Sequence, residues 1–517
     1  MSLEVLDQIA KPATIGELVA RQAAARAGAV AILAPGRSPL SYRDLLDQVR
    51  RTAGALRQWG IDRNDRVALV LPTGPEAATA FVSVAAVATS APLNPGYRAK
   101  EFDFYLSDLS AKALIVRQGV ASPAIEAARQ RGVAVIELSA TGAAGAFDLT
   151  LKDEAPGKPS SAAWAEPQDV ALVLHTSGTT SRPKIVPLSH ANLTRSAANV
   201  ARTLALEPGD RCLNVMPLFH IHGLIAAIMA TLVTGASVAC SPGFDAMRFF
   251  AWLSEFEPTW YTAVPTMHQT ILARAARNPE AAAASRLRLI RSSSAALPPQ
   301  VLAELERVFR APVIESYGMT EAAHQMASNP LPPRDRKPGS VGVAAGPDVG
   351  IMNDAGELLP SPEIGEVVIR GENVTSGYEN NPDANQSAFS NGWFRTGDQG
   401  YLDEQGYLYL TGRLKEIINR GGEKISPREV DEVLLDHPAV AQAVTFALPH
   451  EKLGEEVAAV ITLRPDQAVT AKELRDFAST RLADFKVPRK IVFLDEIPKG
   501  PTGKLQRIGL AKKLGLA

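Results

Sequence analysis

Up to about residue 340, short apolar runs rich in β-branched residues alternate with longer stretches of helical period. Arg66–Leu71, Lys112–Val116, Val133–Leu138, Val170–Leu174, Ser237–Cys240, Thr259–Val264, Arg286–Arg291 and Pro312–Ser316 read as strands. Tyr42–Trp59, Glu76–Thr89 and His190–Leu204 read as Ala-rich helices between them. The apolar run Ala77–Pro92 is interrupted by Thr79, Ser83, Thr89 and Ser90, so it is expected as a buried helix and not a membrane span. Strands alternating with helices predict α/β layers with largely parallel sheets.

Beyond residue 340 Gly, Asn and Asp become frequent, and Gly365–Arg370 and Gly406–Thr411 read as short strands joined by turns. A separate unit follows Gly412: helix Pro427–Leu435, strands Val440–Ala447 and Val457–Leu463, helix Thr470–Leu482 and a last strand at Lys490–Phe493. The expected organisation is therefore a large N-terminal α/β domain over residues 1–412, a hinge at 413–416, and a small α+β lid over 417–517.

Composition narrows the function. A chain of 517 residues exceeds what one hydrophobic core organises, so two or more domains are expected. Its 54 basic residues against 55 acidic ones give no global pull toward nucleic acid or an anionic membrane, which favours a small-molecule partner. The two cysteines, Cys212 and Cys240, form no C-x-x-C pair, so neither a disulfide framework nor a structural zinc site is expected. A reducing, cytoplasmic setting fits that usage. Glu4 and Asp7 stand where a secretory leader would be basic and then apolar, and the final Leu-Gly-Leu-Ala is no peroxisomal signal.

Candidate chemistry begins after the strand Val170–Leu174. Thr176-Ser177-Gly178-Thr179-Thr180-Ser181-Arg182-Pro183-Lys184 packs hydroxyls, a glycine and a lysine into one loop. Such a loop points N–H and O–H donors at phosphate oxygens while the lysine adds a compact charge. It is not a Walker A loop, because no Gly-Lys-Ser/Thr closes it. Alone, it also fits a polar surface turn. Four further motifs follow in order: Tyr317-Gly318-Met319-Thr320-Glu321, Trp393-Phe394-Arg395-Thr396-Gly397-Asp398, Gly412-Arg413-Leu414-Lys415-Glu416, and Gly421-Gly422-Glu423-Lys424-Ile425-Ser426-Pro427. A final one, Pro498-Lys499-Gly500-Pro501-Thr502-Gly503-Lys504, lies near the C-terminus.

This ordered set resembles the adenylate-forming superfamily, which includes acyl-CoA synthetases, peptide-synthetase adenylation domains and luciferases. The resemblance spans essentially the whole chain, although Ser181 stands where the family loop usually has a second glycine. It implies ATP and CoA as co-substrates, Mg²⁺ as cofactor and a mobile C-terminal domain. It also implies roles. Thr176, Ser177, Gly178, Thr179, Thr180 and Lys184 would hold the phosphates, with Glu315, Ser316 and Tyr317 also at the nucleotide. Thr320 would contact the α-phosphate, Glu321 and Thr179 would serve Mg²⁺, and Asp398 and Arg413 the ribose. Lys415 would sit in the hinge, Gly421, Gly422 and Lys424 would line the CoA tunnel, and Lys504 would be the catalytic lysine of adenylation. His220 would lie beside the reacting carboxylate. A protein lysine acyltransferase acting on Lys504 would remove its charge and cripple adenylation.

The acyl pocket is expected from Met216–Gly223, Tyr261–Thr266, Ser292–Leu297 and Gly318–Gln325. It brings His222, Ser293, Ser294 and His324 where a fatty-acid or aryl pocket would be apolar. A second carboxylate at the far end of a short substrate would need such donors, since burying it unpaired is costly. The stretches Arg291–Ala295 and Met319–Pro330 look most like oxalate–CoA ligases. Malonyl-CoA synthetases carry an Arg where this chain has Thr270, which favours oxalate over malonate. Another short diacid, a short or medium-chain fatty acid, and a luciferase-type oxidative reaction remain open.

Overall fold

The computed structural model describes residues 13–160, 163–176, 183–500 and 505–517. Two largely parallel sheets organise the larger domain. One has nine strands in the order Val343–Ala344, His324–Ser328, Val313–Met319, Leu289–Ser292, Trp260–Ala263, Arg211–Asn214, Ser237–Cys240, Val30–Leu33, Leu40–Ser41. Its central pairs are parallel, and antiparallel strands close both edges. The other has seven strands, with Arg66–Val70 between Thr89–Pro92 and Ala113–Arg117 and the hairpin Val170–His175/Ile185–Ser189 at one edge. Central strands such as Arg66–Val70 are apolar and buried after their first residue because both of their faces are covered.

Helix starts carry their capping signals. Ser41 with Asp44, Ser189 with Asn192 and Thr470 with Glu473 each form a capping box, so the expected N-termini at Tyr42 and His190 fall where the sequence puts them. The expected helix Glu76–Thr89 is shorter. It runs Pro75–Ala85, and Thr89–Pro92 becomes a strand in register with Arg66–Leu69. Both pieces are buried on all sides, so hydrophobic period cannot separate them; β-branched Thr89 favours the strand.

A third sheet of five strands follows, built on Gly365–Arg370, Trp393–Leu402 and Leu408–Arg413. The smaller α+β domain has its own five-stranded sheet, centred on Val440–His450 and Gly454–Leu463. Helices Pro427–Leu435 and Ala471–Ser479 cover it over a core of Ile418, Val430, Leu434, Val457 and Leu474. The fold is thus the expected large mixed α/β unit with a smaller α+β unit after it. Among the described residues, no helix is long and apolar enough to cross a membrane.

Candidate active site

Several of the candidate residues follow the carboxyl ends of parallel strands, Ser293 and Ser294 after Leu289–Ser292 and Thr176 after Val170–His175, where open α/β sheets place their ligands. Thr176 and Lys184 stand at the ends of the expected phosphate loop, closed by hairpin hydrogen bonds. Thr176 N–H donates to the Lys184 carbonyl at 3.0 Å, and Lys184 N–H to Thr176 Oγ1 at 3.4 Å. Ser177, Gly178, Thr179 and Thr180, and also Lys504, lie outside the described residues. The Lys184 ammonium sits 4.2 Å from the ring centre of Tyr378. Partial burial pulls the Lys184 pKa down, Lys415 adds to this, and Glu321 opposes it.

Glu321 follows Thr320 in a single turn of 3₁₀ helix and is buried. Tyr378 Oη donates to Glu321 Oε1 at 2.8 Å, and the Glu321 carbonyl accepts from Thr375 N–H at 2.7 Å. Burial raises the Glu321 pKa, while the Tyr378 bond and the charges of Arg413 and Lys184 hold it down. Among the described residues no three His, Cys, Asp or Glu cluster as a metal cage.

Asp398 and Arg413 are directly paired across neighbouring strands. Arg413 Nε lies 3.1 Å from Asp398 Oδ1, and Tyr317 Oη donates to Asp398 Oδ2 at 2.5 Å. Asp398 holds the Arg413 pKa up. Glu315, two residues before Tyr317 on the same strand, is fully buried. One oxygen accepts from Leu297 N–H at 2.9 Å, the other has no partner, and burial pushes its pKa up to about 7. Ser293 and Ser316 tie their strands together, Ser293 Oγ donating to the Ser316 carbonyl at 3.0 Å and Ser316 Oγ to the Ser292 carbonyl at 3.2 Å.

The four expected acyl-pocket segments converge. His222 opens a π-helix, His222–Met229, directly after the His220 turn, and its N–H donates to His220 Nδ1 at 3.3 Å. Gly223 is required there: a Cβ would stand 2.4 Å from the Pro217 carbonyl. His222 Nε2 is 2.6 Å from Thr262 Oγ1, its Nδ1 is 3.1 Å from Ser294 Oγ, and its ring centre is 5.0 Å from that of His324. Ser294 and His324 hold φ of +76° and +105°, in the region non-glycine residues avoid. Strain of this kind persists where surroundings over-determine it, most often at functional sites. Gly318 admits the strand carrying His324, because a Cβ would fall 1.8 Å from the His324 carbonyl.

Two groups escaped the sequence reading. Arg291 lies wholly buried inside this cluster, not at a strand edge. Its Nη1 reaches Thr262 Oγ1 and His222 Nε2, both at 3.4 Å, and its Nη2 reaches His324 Nδ1 at 3.5 Å and Gln325 Oε1 at 3.4 Å. Tyr378 is the other, with no local pattern to mark it. Thr270, expected to mark a pocket position, is instead exposed on its helix and bonds the Thr266 carbonyl at 2.8 Å. The missing arginine at 270 therefore gives no information about the acid.

Lys415 is exposed in the turn between the last strand of the third sheet and the smaller domain. Gly421 and Gly422 form the tip of the hairpin Ile418–Arg420/Glu423–Ile425 at φ of +60° and +100°, with Lys424 exposed beside them. The contacts of this tip stay within the small domain: Gly421 N–H to the Leu453 carbonyl at 2.8 Å, Gly422 N–H to Asn419 Oδ1 at 3.2 Å.

Thr176 and Lys184, the buried Glu321, the Asp398–Arg413 pair and the cluster around His222 are thus carried by one α/β scaffold. The family model for AMP-binding enzymes matches residues 19–379, and that for the AMP-binding enzyme C-terminal domain matches 429–504. The chain belongs to the AMP-binding enzymes. It is 46% identical to an oxalate–CoA ligase of Arabidopsis thaliana over 92% of this chain and 94% of that one. It is 41% identical to a sulfoacetate–CoA ligase of Cupriavidus necator over 67% of each. ATP-bound MatB from Rhodopseudomonas palustris superposes with a TM-score of 0.87 at 29% identity, covering 96% of this chain and 98% of that one. The protein is an AMP-forming acid–thiol ligase that uses ATP and CoA.

Proposed function

We propose that the acid is oxalate and the product oxalyl-CoA. A carboxylate oxygen attacks the α-phosphorus, the bond to pyrophosphate breaks, and the acyl-adenylate forms. The CoA thiol then adds to the acyl carbon, loses its proton, and AMP departs with the bonding pair. Asp398 and Arg413 hold the ribose, Tyr317, Ser316 and Glu315 the adenine side, and Thr176–Lys184 the phosphates. Glu321, a hard oxygen donor oriented by Tyr378, suits Mg²⁺ completed by phosphates and water. When bound, that ion would neutralise phosphate charge.

Lys504 would stabilise the charge developing on the α-phosphate. Rotation about a hinge at 413–416 would then withdraw it and bring Gly421, Gly422 and Lys424 to the CoA thiol. Acylation of Lys504 would stop the first half-reaction only.

The observation that carries the choice of acid is the polar cluster His222–Ser294–His324, in which Ser294 and His324 hold strained backbone. It favours a second anionic group over an alkyl tail. Resemblance to an oxalate–CoA ligase supports the same reading. A sulfoacetate reading shares the short length and double charge, and resemblance to that ligase supports it.

Pyrophosphate release over oxalate, sulfoacetate, malonate, acetate, hexanoate and 4-coumarate tests the proposal. Oxalate should give the highest kcat/KM. Equal or faster turnover of hexanoate would overturn the dianion reading, and faster sulfoacetate would transfer it to the sulfonate. Oxygen uptake without acyl-CoA would point to an oxidative enzyme.

A further inference from the structure

Arg291 occupies a core position where an apolar side chain would pack without desolvating a charge. Its strand neighbours Leu289 and Ile290 are fully buried, and so is Arg291. Among the described residues no carboxylate pairs with it, and its Nε has no partner. A guanidinium taken out of water without a counter-charge is strongly disfavoured. Packing alone does not account for it.

What surrounds Arg291 is a shell of acceptors. A guanidinium carries five N–H donors and no acceptor, so each nitrogen or oxygen it meets must accept. Gln325 is committed to this: its amide NH₂ donates to Thr203 Oγ1 and the Ala345 carbonyl, both at 3.0 Å, which turns Oε1 toward Arg291. Thr262 Oγ1 accepts from Arg291 Nη1 at 3.4 Å and so has its own proton to give to His222 Nε2, 2.6 Å away. His222 Nε2 also faces Nη1 directly at 3.4 Å. It is therefore the unprotonated nitrogen, and the ring proton resides on Nδ1, 3.1 Å from Ser294 Oγ. Ser294 accepts that proton, which leaves its own hydroxyl hydrogen to donate elsewhere. On the other side His324 Nδ1 accepts from Arg291 Nη2 at 3.5 Å, so its proton resides on Nε2. Burial lowers the Arg291 pKa only to about 9, so the charge that orders these dipoles persists at neutral pH.

We propose that Arg291 is the specificity-determining positioning residue of the acyl pocket. It fixes His222 as the Nδ1–H and His324 as the Nε2–H tautomer, so that Ser294 and His324 present donors to the second acid group of a two-carbon dianion. Arg291 does not touch the substrate; its charge reaches the acid through Thr262, His222 and Ser294 on one side and through His324 on the other. The inference rests on the short-dianion reading above. It adds the source of selectivity: a buried charge that stays uncompensated until the second anionic group arrives.

The test combines a spectroscopic signature with a kinetic ratio. In the full chain with ¹⁵N-labelled histidine, single His→Gln variants assign His222 and His324 among the eight histidines. Near neutral pH the imidazole ¹⁵N shifts should report opposite tautomers, Nδ1–H for His222 and Nε2–H for His324. The reverse pattern, or a rapidly exchanging mixture at both rings, overturns the proposal on the unmutated protein.

Kinetically, R291M should lower kcat/KM for oxalate relative to acetate by about 10- to 100-fold, with most of the change in KM for the acid. R291K keeps the charge without the planar fork and should recover part of that loss. KM for ATP should stay within about threefold in both variants. An oxalate-to-acetate ratio within about threefold of the unmutated value in R291M overturns the role. If R291M fails to fold, the tautomer measurement carries the decision. Failure of the unmutated enzyme to use oxalate or sulfoacetate would instead strike the short-dianion reading, and is seen before any variant is made.

Discussion

Tyr378 donates its hydroxyl to Glu321 Oε1 at 2.8 Å, and the face of the same ring lies 4.2 Å from the Lys184 ammonium. One side chain thereby orients an acid expected at the metal and a lysine expected at the phosphates. Y378F keeps the ring beneath Lys184 and removes only the donor. Pyrophosphate release at limiting Mg²⁺ should fall about 10-fold, as expected for losing a hydrogen bond to a charged group, and recover at high Mg²⁺. Y378L should additionally raise KM for ATP. A Mg²⁺ dependence of Y378F identical to that of the parent would detach Tyr378 from the metal.

Ser294 holds φ of +76° while its Oγ meets His222 Nδ1 at 3.1 Å. S294G removes a strain of about 1–3 kcal/mol and one hydrogen bond of about 1 kcal/mol. The variant should therefore be more stable by about 1 kcal/mol, read from its urea midpoint, yet poorer with oxalate by about 10-fold in kcat/KM. A destabilised S294G would show that the backbone there is not strained.

Asp398 faces Arg413 and Tyr317 at once. D398N preserves the shape and removes the charge. Calorimetric titration should show AMP binding weakened by about 10- to 100-fold, because a charge-assisted acceptor is lost. Melting should change little, since the Arg413 side chain is 53% exposed and screened by water.

Glu315 supplies a pH signature. Burial raises its pKa from the ordinary 4.5 to about 7, so between those values the folded chain holds a proton that the unfolded chain has released. Its contribution to stability is full below about pH 4.5, declines as pH rises, and is lost above about 7. E315Q keeps an acceptor for the Leu297 N–H and cannot ionise. The variant's gain in denaturant midpoint should be near zero at about pH 4.5 and reach on the order of 1–3 kcal/mol above pH 7. Parallel stability curves would contradict the buried-acid assignment.

The sequence exposes what is local. Capping pairs such as Ser189 and Asn192 mark helix starts, and helix Pro427–Leu435 falls where its Ser-Pro signal and apolar period put it. The ordered motifs bring Asp398, Arg413, Tyr317 and Glu321 into view because each has an unusual residue type in a fixed local frame. What depends on distant neighbours stays hidden. Arg291 sits in a strand whose pattern allows either an edge or a core position. Only its pairing between Trp260–Ala263 and Val313–Met319 buries it. Thr89–Pro92 merged with the preceding helix because both are apolar on every side. Tyr378 lies 57 residues from its partner Glu321, with no local pattern linking them.

The most direct measurement is a one-pot competition. Oxalate, sulfoacetate, acetate and hexanoate are supplied at equal concentration with ATP, Mg²⁺ and CoA, and the thioesters formed are resolved by mass. Oxalyl-CoA should form in large excess, with AMP and pyrophosphate in matching amounts, and that excess should be lost in R291M. Hexanoyl-CoA or acetyl-CoA as the main product would contradict it.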